Sequence, residues 1–411
     1  QFGTEWLVAT PEGLFDGSPP AWGQILWRFS QNTFDVAPVE TFFNEYYYPG
    51  LLAEIFSGKP PQAPRDVTQL DRRQPQVKLL TAGDGSARDA TVKVEITEAQ
   101  PDSAHPTGSG ARDVRLFRNG SLVKVWRGDA LQGKNQAILE AQVPIVAGEN
   151  RFIAYAFNHD NVKSPDAEMK VNGAESLRRA GTAYVLSIGV NEYENSDFNL
   201  KYAVSDARAF SENLSQAQTK LGKFGKVELI HMFDREATKP NIVAALQKLA
   251  GAEPEDAIFL YFAGHGTTDG SRFYMVPHDL GYHNPRSNLN DSAMRSIMNH
   301  SISDVELEEL FEKIGAGQTL LVIDACNSGQ LLEAEEKRRG PMNSRGLAQL
   351  AYEKGMYILA ASQGYQAALE ASKLGHGYLT YSLVEEGIKS FSADNLPKDG
   401  TVLVREWFDY A

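Results

Sequence analysis

Between Val77 and Val171 apolar residues recur at every second position in short runs, which is the period of strands with one buried face. The pattern predicts strands at Val77–Leu80, Thr91–Thr97, Val114–Phe117, Leu122–Trp126, Ala137–Val143, Arg151–Phe157 and Glu168–Val171. Arg118-Asn119-Gly120-Ser121 supplies an Asn-Gly hairpin turn between two of them. Seven short strands over this length predict an immunoglobulin-like β-sandwich. Nothing in it has the look of a chemical site, so spacing or docking is its expected role.

After Glu175–Gly181 the pattern changes to continuous apolar runs alternating with segments of helical period. Predicted strands are Tyr184–Val190, Val227–Met232, the run Ile258–Gly266 (IFLYFAGHG), Leu320–Ile323 and Met356–Ala361. Helices are predicted at Ala203–Leu214, Lys239–Ala250, Ser303–Ile314 and from about Tyr378, the third opening with Ser303 and Glu306 at capping-box spacing. This alternation predicts an α/β domain with a mainly parallel sheet covered by helices on both faces. Two of the runs end in chemistry. Ile258–Gly266 ends with His265 between glycines; Leu320–Ile323 leads into Asp324, the chain's only cysteine, Cys326, and a turn closed by Gly329. Ligands of open α/β sheets bind at the carboxyl ends of strands, and a thiol beside an imidazole can be a nucleophile with its base.

The opening of the chain is aromatic-rich. Glu5–Thr10 reads as a short strand, Phe15-Asp16-Gly17-Ser18 as a turn, and Ala37–Ser57 as a helix with Pro38 in its first turn and Pro49 kinking or splitting it. Tyr46, Tyr47 and Tyr48 lie among Glu40, Glu45 and Glu54, a setting that disfavours base stacking and favours packing on a neighbouring domain. The proline-rich Lys59–Pro75 reads as a linker. Three parts follow: an N-terminal segment with its linker over 1–75, the sandwich over 76–175, and an α/β domain over 176–411.

Composition narrows the function. An apolar content of 42% suffices for real cores, and no run has the length of a membrane span. A net charge of −13 argues against a nucleic-acid footprint. One cysteine fits a reducing, cytoplasmic setting and leaves neither a disulfide framework nor a cysteine zinc cluster. No cofactor is expected. The chain starts at Gln1 and stops at Ala411 inside a helix-like run, so it reads as part of a longer protein with an upstream domain or regulatory partner.

YFAGHG (Tyr261–Gly266) and DACNSG (Asp324–Gly329), in this order and each closing a strand, resemble the His and Cys boxes of the caspase/metacaspase clan of cysteine peptidases. The resemblance runs from about Ala183 to the end through VLSIGVNEY, LKYAVSDARAF and ILAASQGYQAALE, and it is closest to bacterial metacaspase-like (orthocaspase) proteins. Residues Trp6–Gly58 also resemble a segment found beside such domains in multidomain bacterial proteins. The resemblance implies Cys326 as nucleophile, His265 as base and then acid, and the backbone N–H groups of Gly266 and Cys326 as oxyanion hole. A second histidine, His376, repeats the Gly-His-Gly pattern but precedes a helix, so His265 is preferred as base. In the clan's aspartate-cleaving members a glutamine stands two residues before the cysteine; Asp324 stands there in this chain, as in metacaspases. Asp206 in VSDARAF matches the metacaspase position that shares the pocket. The implied substrates are proteins or peptides with Arg or Lys before the scissile bond, and Glu370 is a third candidate for the pocket.

Asn327 stands where metacaspases usually carry a histidine, and their calcium-binding acids are only partly echoed by Asp279 and Glu333, so no required metal is expected. The basic residues in Glu333–Leu347 and in Ser176–Gly181 are candidate self-processing sites. A catalytically weak signalling scaffold is the alternative to a working endopeptidase. A third class, a different α/β hydrolase, would place its cysteine on a G-x-C-x-G elbow, whose leading glycine Asp324–Ser328 lacks.

Overall fold

A computed structural model describes residues 5–58, 60–81, 83–269, 272–327, 345–361, 374–395 and 397–411. They form two compact units, Gln1–Arg179 and Ala180–Ala411.

In the first unit the period-two region forms two antiparallel sheets. One has the order Gln76–Thr81, Asp89–Thr97, Gln136–Pro144; the other Ala167–Gly173, Gly148–Phe157, Arg112–Arg118, Ser121–Asp129. Val92, Val94 and Ile96 of the first share one core with Val114, Leu116, Phe152 and Ala154 of the second. Asn119 and Gly120 both have positive φ, 50° and 85°, as the two-residue hairpin turn requires.

The N-terminal segment departs from its pattern in three places. Phe15–Gly17 is not a turn but a strand paired antiparallel with Leu7–Ala9, because Phe15 is fully buried edge-on to Trp22 at 5.4 Å. Ala37–Ser57 is not one helix. Val36–Pro38 is a strand, Val39–Phe42 a tight 3-10 turn, Phe43–Tyr46 a single helical turn, and Leu51–Phe56 a helix beyond Pro49. Pro38, at φ −57° and ψ 144°, belongs to the extended part. The Lys59–Pro75 stretch is docked rather than free: Val67 and Leu70 are buried, and Arg73 donates to the carbonyls of Gln100 and Thr107. Tyr46 is buried, and the neighbouring Phe43 ring lies 5.7 Å from Phe157 of the sheet.

The second unit is built on a mixed sheet. Five parallel strands lie in the order Lys226–Phe233, Thr182–Gly189, Ala257–Asp269, Gln318–Asn327, Tyr357–Ala361. The Ala257–Asp269 strand outruns its parallel neighbour at Ala263, and its Gly266–Asp269 end pairs antiparallel with Arg272–Met275, which in turn pairs with Ile302–Ser303. His265 is therefore inside a long strand and not at its end. Both faces are covered, so the buried runs alternate between two cores. Ile258, Leu260, Phe262, Leu321 and Ile323 pack with Ile242, Ile297 and Leu307 from helices Lys239–Leu249, Asp291–His300 and Asp304–Glu312. Phe259, Tyr261, Leu320 and Val322 pack with Phe210, Leu383 and Trp407 on the opposite face. Phe210 lies on the helix Ala203–Leu221, and the Ser303–Glu306 capping box is formed.

Arg178 and Arg179 are exposed. Positions 333–344 of the other candidate processing stretch, and Glu370, lie outside the described residues. No helix among the described residues is long and apolar enough to cross a membrane.

Candidate active site

Parallel pairing of the two central strands sets Ala263 against Asp324 and His265 against Cys326, with Gly266 against Asn327. The two boxes, some sixty residues apart in sequence, are thus brought side by side by register alone.

His265 is almost fully buried, and its surroundings fix its tautomer. Nε2 lies 2.7 Å from the carbonyl oxygen of Phe198. A carbonyl can only accept, so Nε2 carries the proton and Nδ1 the lone pair. Nδ1 has no hydrogen-bond partner among the described residues. The ring lies tilted on Tyr193 at 4.9 Å and edge-on to Phe198 at 6.2 Å, and the Tyr193 hydroxyl accepts from the His265 backbone N–H at 2.7 Å. Burial lowers the imidazole to about 4; the Phe198 carbonyl works against this, and the Arg286 charge adds to it. The imidazole is therefore neutral near pH 7, and negative charge placed beside it would raise its affinity for a proton.

Gly264 is small for a reason: a Cβ there would come within 2.9 Å of the Tyr193 hydroxyl and 3.0 Å of the Phe262 ring. A Cβ on Gly266 would meet the Phe273 ring at 2.7 Å. Gly264→Ala is expected to displace Tyr193 from the His265 N–H and cost about 1–3 kcal/mol by overpacking. Thermal melting together with peptide turnover checks this: both should fall.

Asp324 and Asp206 are also buried, at 6% and 4% exposure, on the face that carries Tyr261. Asp324 Oδ2 accepts from the Tyr261 hydroxyl at 3.2 Å and the Thr380 hydroxyl at 3.1 Å. Burial first, and the Asp206 charge second, push its carboxyl up to about 7. Asp206 projects from the first turn of Ala203–Leu221. Its Oδ1 lies 2.8 Å from His376 Nδ1 and its Oδ2 accepts from the Gly377 N–H at 3.0 Å; burial raises its pKa and these two bonds oppose the rise. The two acids expected at 206 and 324 both lie buried on one side of the sheet, and the Asp206 charge adds to the rise at Asp324. His376, set aside as a base, lies on Asp206. Tyr193, Phe198, Tyr261 and Thr380 were not singled out from the sequence, although Tyr193 and Tyr261 stand inside the motifs quoted. Asp279 accepts the Lys239 backbone N–H, and among the described residues no group of three or more His, Cys, Asp or Glu is arranged to hold a metal.

A histidine and a cysteine in register on a helix-covered α/β sheet define the frame of a caspase-type domain. The chain belongs to the caspase domain family, whose sequence profile matches residues 182–395. It is 27% identical over 199 residues to metacaspase-1A of Neurospora crassa, covering 45% of this chain and 40% of that protein. It is 28% identical over 165 residues to metacaspase-9 of Arabidopsis thaliana, covering 38% of this chain and 46% of that one. The match thus spans less than half the length of either relative. Among solved structures, protein GSU0716 of Geobacter sulfurreducens matches 51% of this chain and 65% of its own at 17% identity, with a TM-score of 0.26, too low to bear on the fold. Family and relatives point to a cysteine peptidase.

Proposed function

We propose that this protein is a cysteine endopeptidase that cleaves after Arg or Lys. The observation that carries the reading is two buried acids, Asp206 and Asp324, on the sheet face that carries Tyr261, together with the register that sets His265 against Cys326. Carboxylates held out of water are costly to keep ionised, and an incoming guanidinium or ammonium relieves that cost.

In the proposed reaction His265 Nδ1 takes the thiol proton as the sulfur of Cys326 attacks the scissile carbonyl carbon. The backbone N–H groups of Gly266 and Cys326 stabilise the oxyanion. The leaving amine takes the proton back from Nδ1, a thioester remains, and water hydrolyses it with His265 again as base. We further read the two-sheet region as an immunoglobulin-like domain for spacing or docking and the whole as an orthocaspase-type protein of a reducing compartment.

Fluorogenic peptides that differ only in the residue before the scissile bond test the function. Arg and Lys peptides should exceed Asp and Ala peptides in kcat/KM by on the order of 100-fold, the worth of one to two charge-assisted contacts. Efficient cleavage after Asp would overturn the specificity, and no cleavage of any peptide would favour a scaffold.

A further inference from the structure

The catalytic scheme uses His265 and Cys326, and the pocket uses two acids; His376 has no part in either. It nevertheless makes one of the closest side-chain contacts of the site, with Nδ1 2.8 Å from Asp206 Oδ1. The next residue in the chain donates its backbone N–H to the other oxygen of the same carboxylate at 3.0 Å. Against an ionised carboxylate, which can only accept, Nδ1 must be the protonated nitrogen. Both Asp206 oxygens are therefore held from one turn, Gly375–Gly377, while each keeps a lone pair for a further donor.

Asp324 Oδ2 accepts from Tyr261 and Thr380, and the Tyr261 hydroxyl lies 2.6 Å from Thr380 Oγ1. Two buried carboxyls left free to approach would share a proton and present one charge to a basic side chain instead of two. Two donors on one carboxylate keep it apart and fix its plane. His376, with 22% of its side chain exposed, sits at the edge where that plane is set.

We infer that His376 is a specificity-determining positioning residue: its Nδ1–H, with the Gly377 N–H, holds Asp206 in the orientation that receives the substrate's basic side chain. The inference rests on Asp206 being part of the substrate pocket. The ring acts through the carboxylate and does not touch the reacting atoms.

The test compares His376→Ala, His376→Asn and His376→Gln with the unmodified chain on an Arg peptide, with melting curves for each variant. The side-chain N–H of Asn lies close to the place of Nδ1, whereas that of Gln reaches the place of Nε2. His376→Ala should raise KM about tenfold with kcat within about threefold, the mark of a lost ground-state contact. His376→Asn should recover most of that loss and His376→Gln should not; this comparison stands even if the alanine variant does not fold. An unchanged or lower KM in His376→Ala would overturn the assignment, as would a fall in kcat alone or equal behaviour of Asn and Gln. If the unmodified protein showed no preference for Arg, the pocket reading would fail, and this one with it; if it preferred Arg and the variants did not separate, only this one would fail.

Discussion

His265→Ala should lower kcat for an Arg peptide by on the order of 10⁴-fold, and Cys326→Ala should lower it at least as far. The reason is geometric. His265 faces Cys326 in strand register, and the proton on Nε2, fixed by the Phe198 carbonyl, leaves Nδ1 as the basic atom. His265→Gln sharpens the test, because its amide N–H can retain a bond to Phe198 while it supplies no base. It should be as inactive as alanine yet melt near the unmodified protein. The kinetic pattern separates this histidine from His376. Loss of His265 should appear in kcat at saturating peptide, loss of His376 in KM. A His265→Ala enzyme with near-normal kcat, alongside a His376→Ala enzyme that has lost it, would reverse the assignment of the base.

Much of this site is legible in the sequence because strands report their own burial. The runs around Tyr261 and Val322 are continuous and apolar since both faces of the sheet are covered, and helices of clear period stand between them. Motif placement at strand positions then locates Cys326 and His265 beside each other without any knowledge of side chains. What is not read from the sequence is set by pairing and packing outside each local segment. The Ala257–Asp269 strand continues past His265 because Gly266–Asp269 pairs with Arg272–Met275, and Gly270-Ser271 between them in the sequence is a two-residue hairpin signature. Phe15–Gly17 has turn-forming residues, yet burial of Phe15 against Trp22 overrides them. The residues that hold His265, Tyr193 and Phe198, come from the segment after the first parallel strand; Phe198 acts through its backbone carbonyl, which leaves no side-chain signature, and the Tyr193 hydroxyl meets a backbone N–H. His376 meets Asp206 across 170 positions; only the repeated Gly-His-Gly pattern marked it, and that pattern suggested a different role.

Asp324→Asn should lower kcat/KM for Arg peptides by about tenfold or more while making the protein more stable at neutral and alkaline pH. Burial and the neighbouring Asp206 hold the Asp324 carboxyl at about 7, against an ordinary value of 3.8. Cation binding by the free enzyme requires its ionised form, so kcat/KM for Arg peptides should rise with pH through about 7, and this limb should vanish in Asp324→Asn. The stability effect has a definite sign. Below about pH 4 the carboxyl is protonated in both folded and unfolded chains and contributes no difference. From there to about 7 the unfolded chain releases the proton and the folded one keeps it, so the folded state loses relative stability as pH rises, and above 7 the loss is constant. Three pH units set its ceiling at ~4 kcal/mol. The gain in melting temperature of Asp324→Asn should therefore be near zero at pH 4, grow through neutrality and level off by about pH 8. A gain independent of pH would show that the carboxyl is ionised throughout. A pH-dependent gain matched by the lost kinetic limb would mean that the cost of keeping this acid buried is what the substrate's cation relieves on binding.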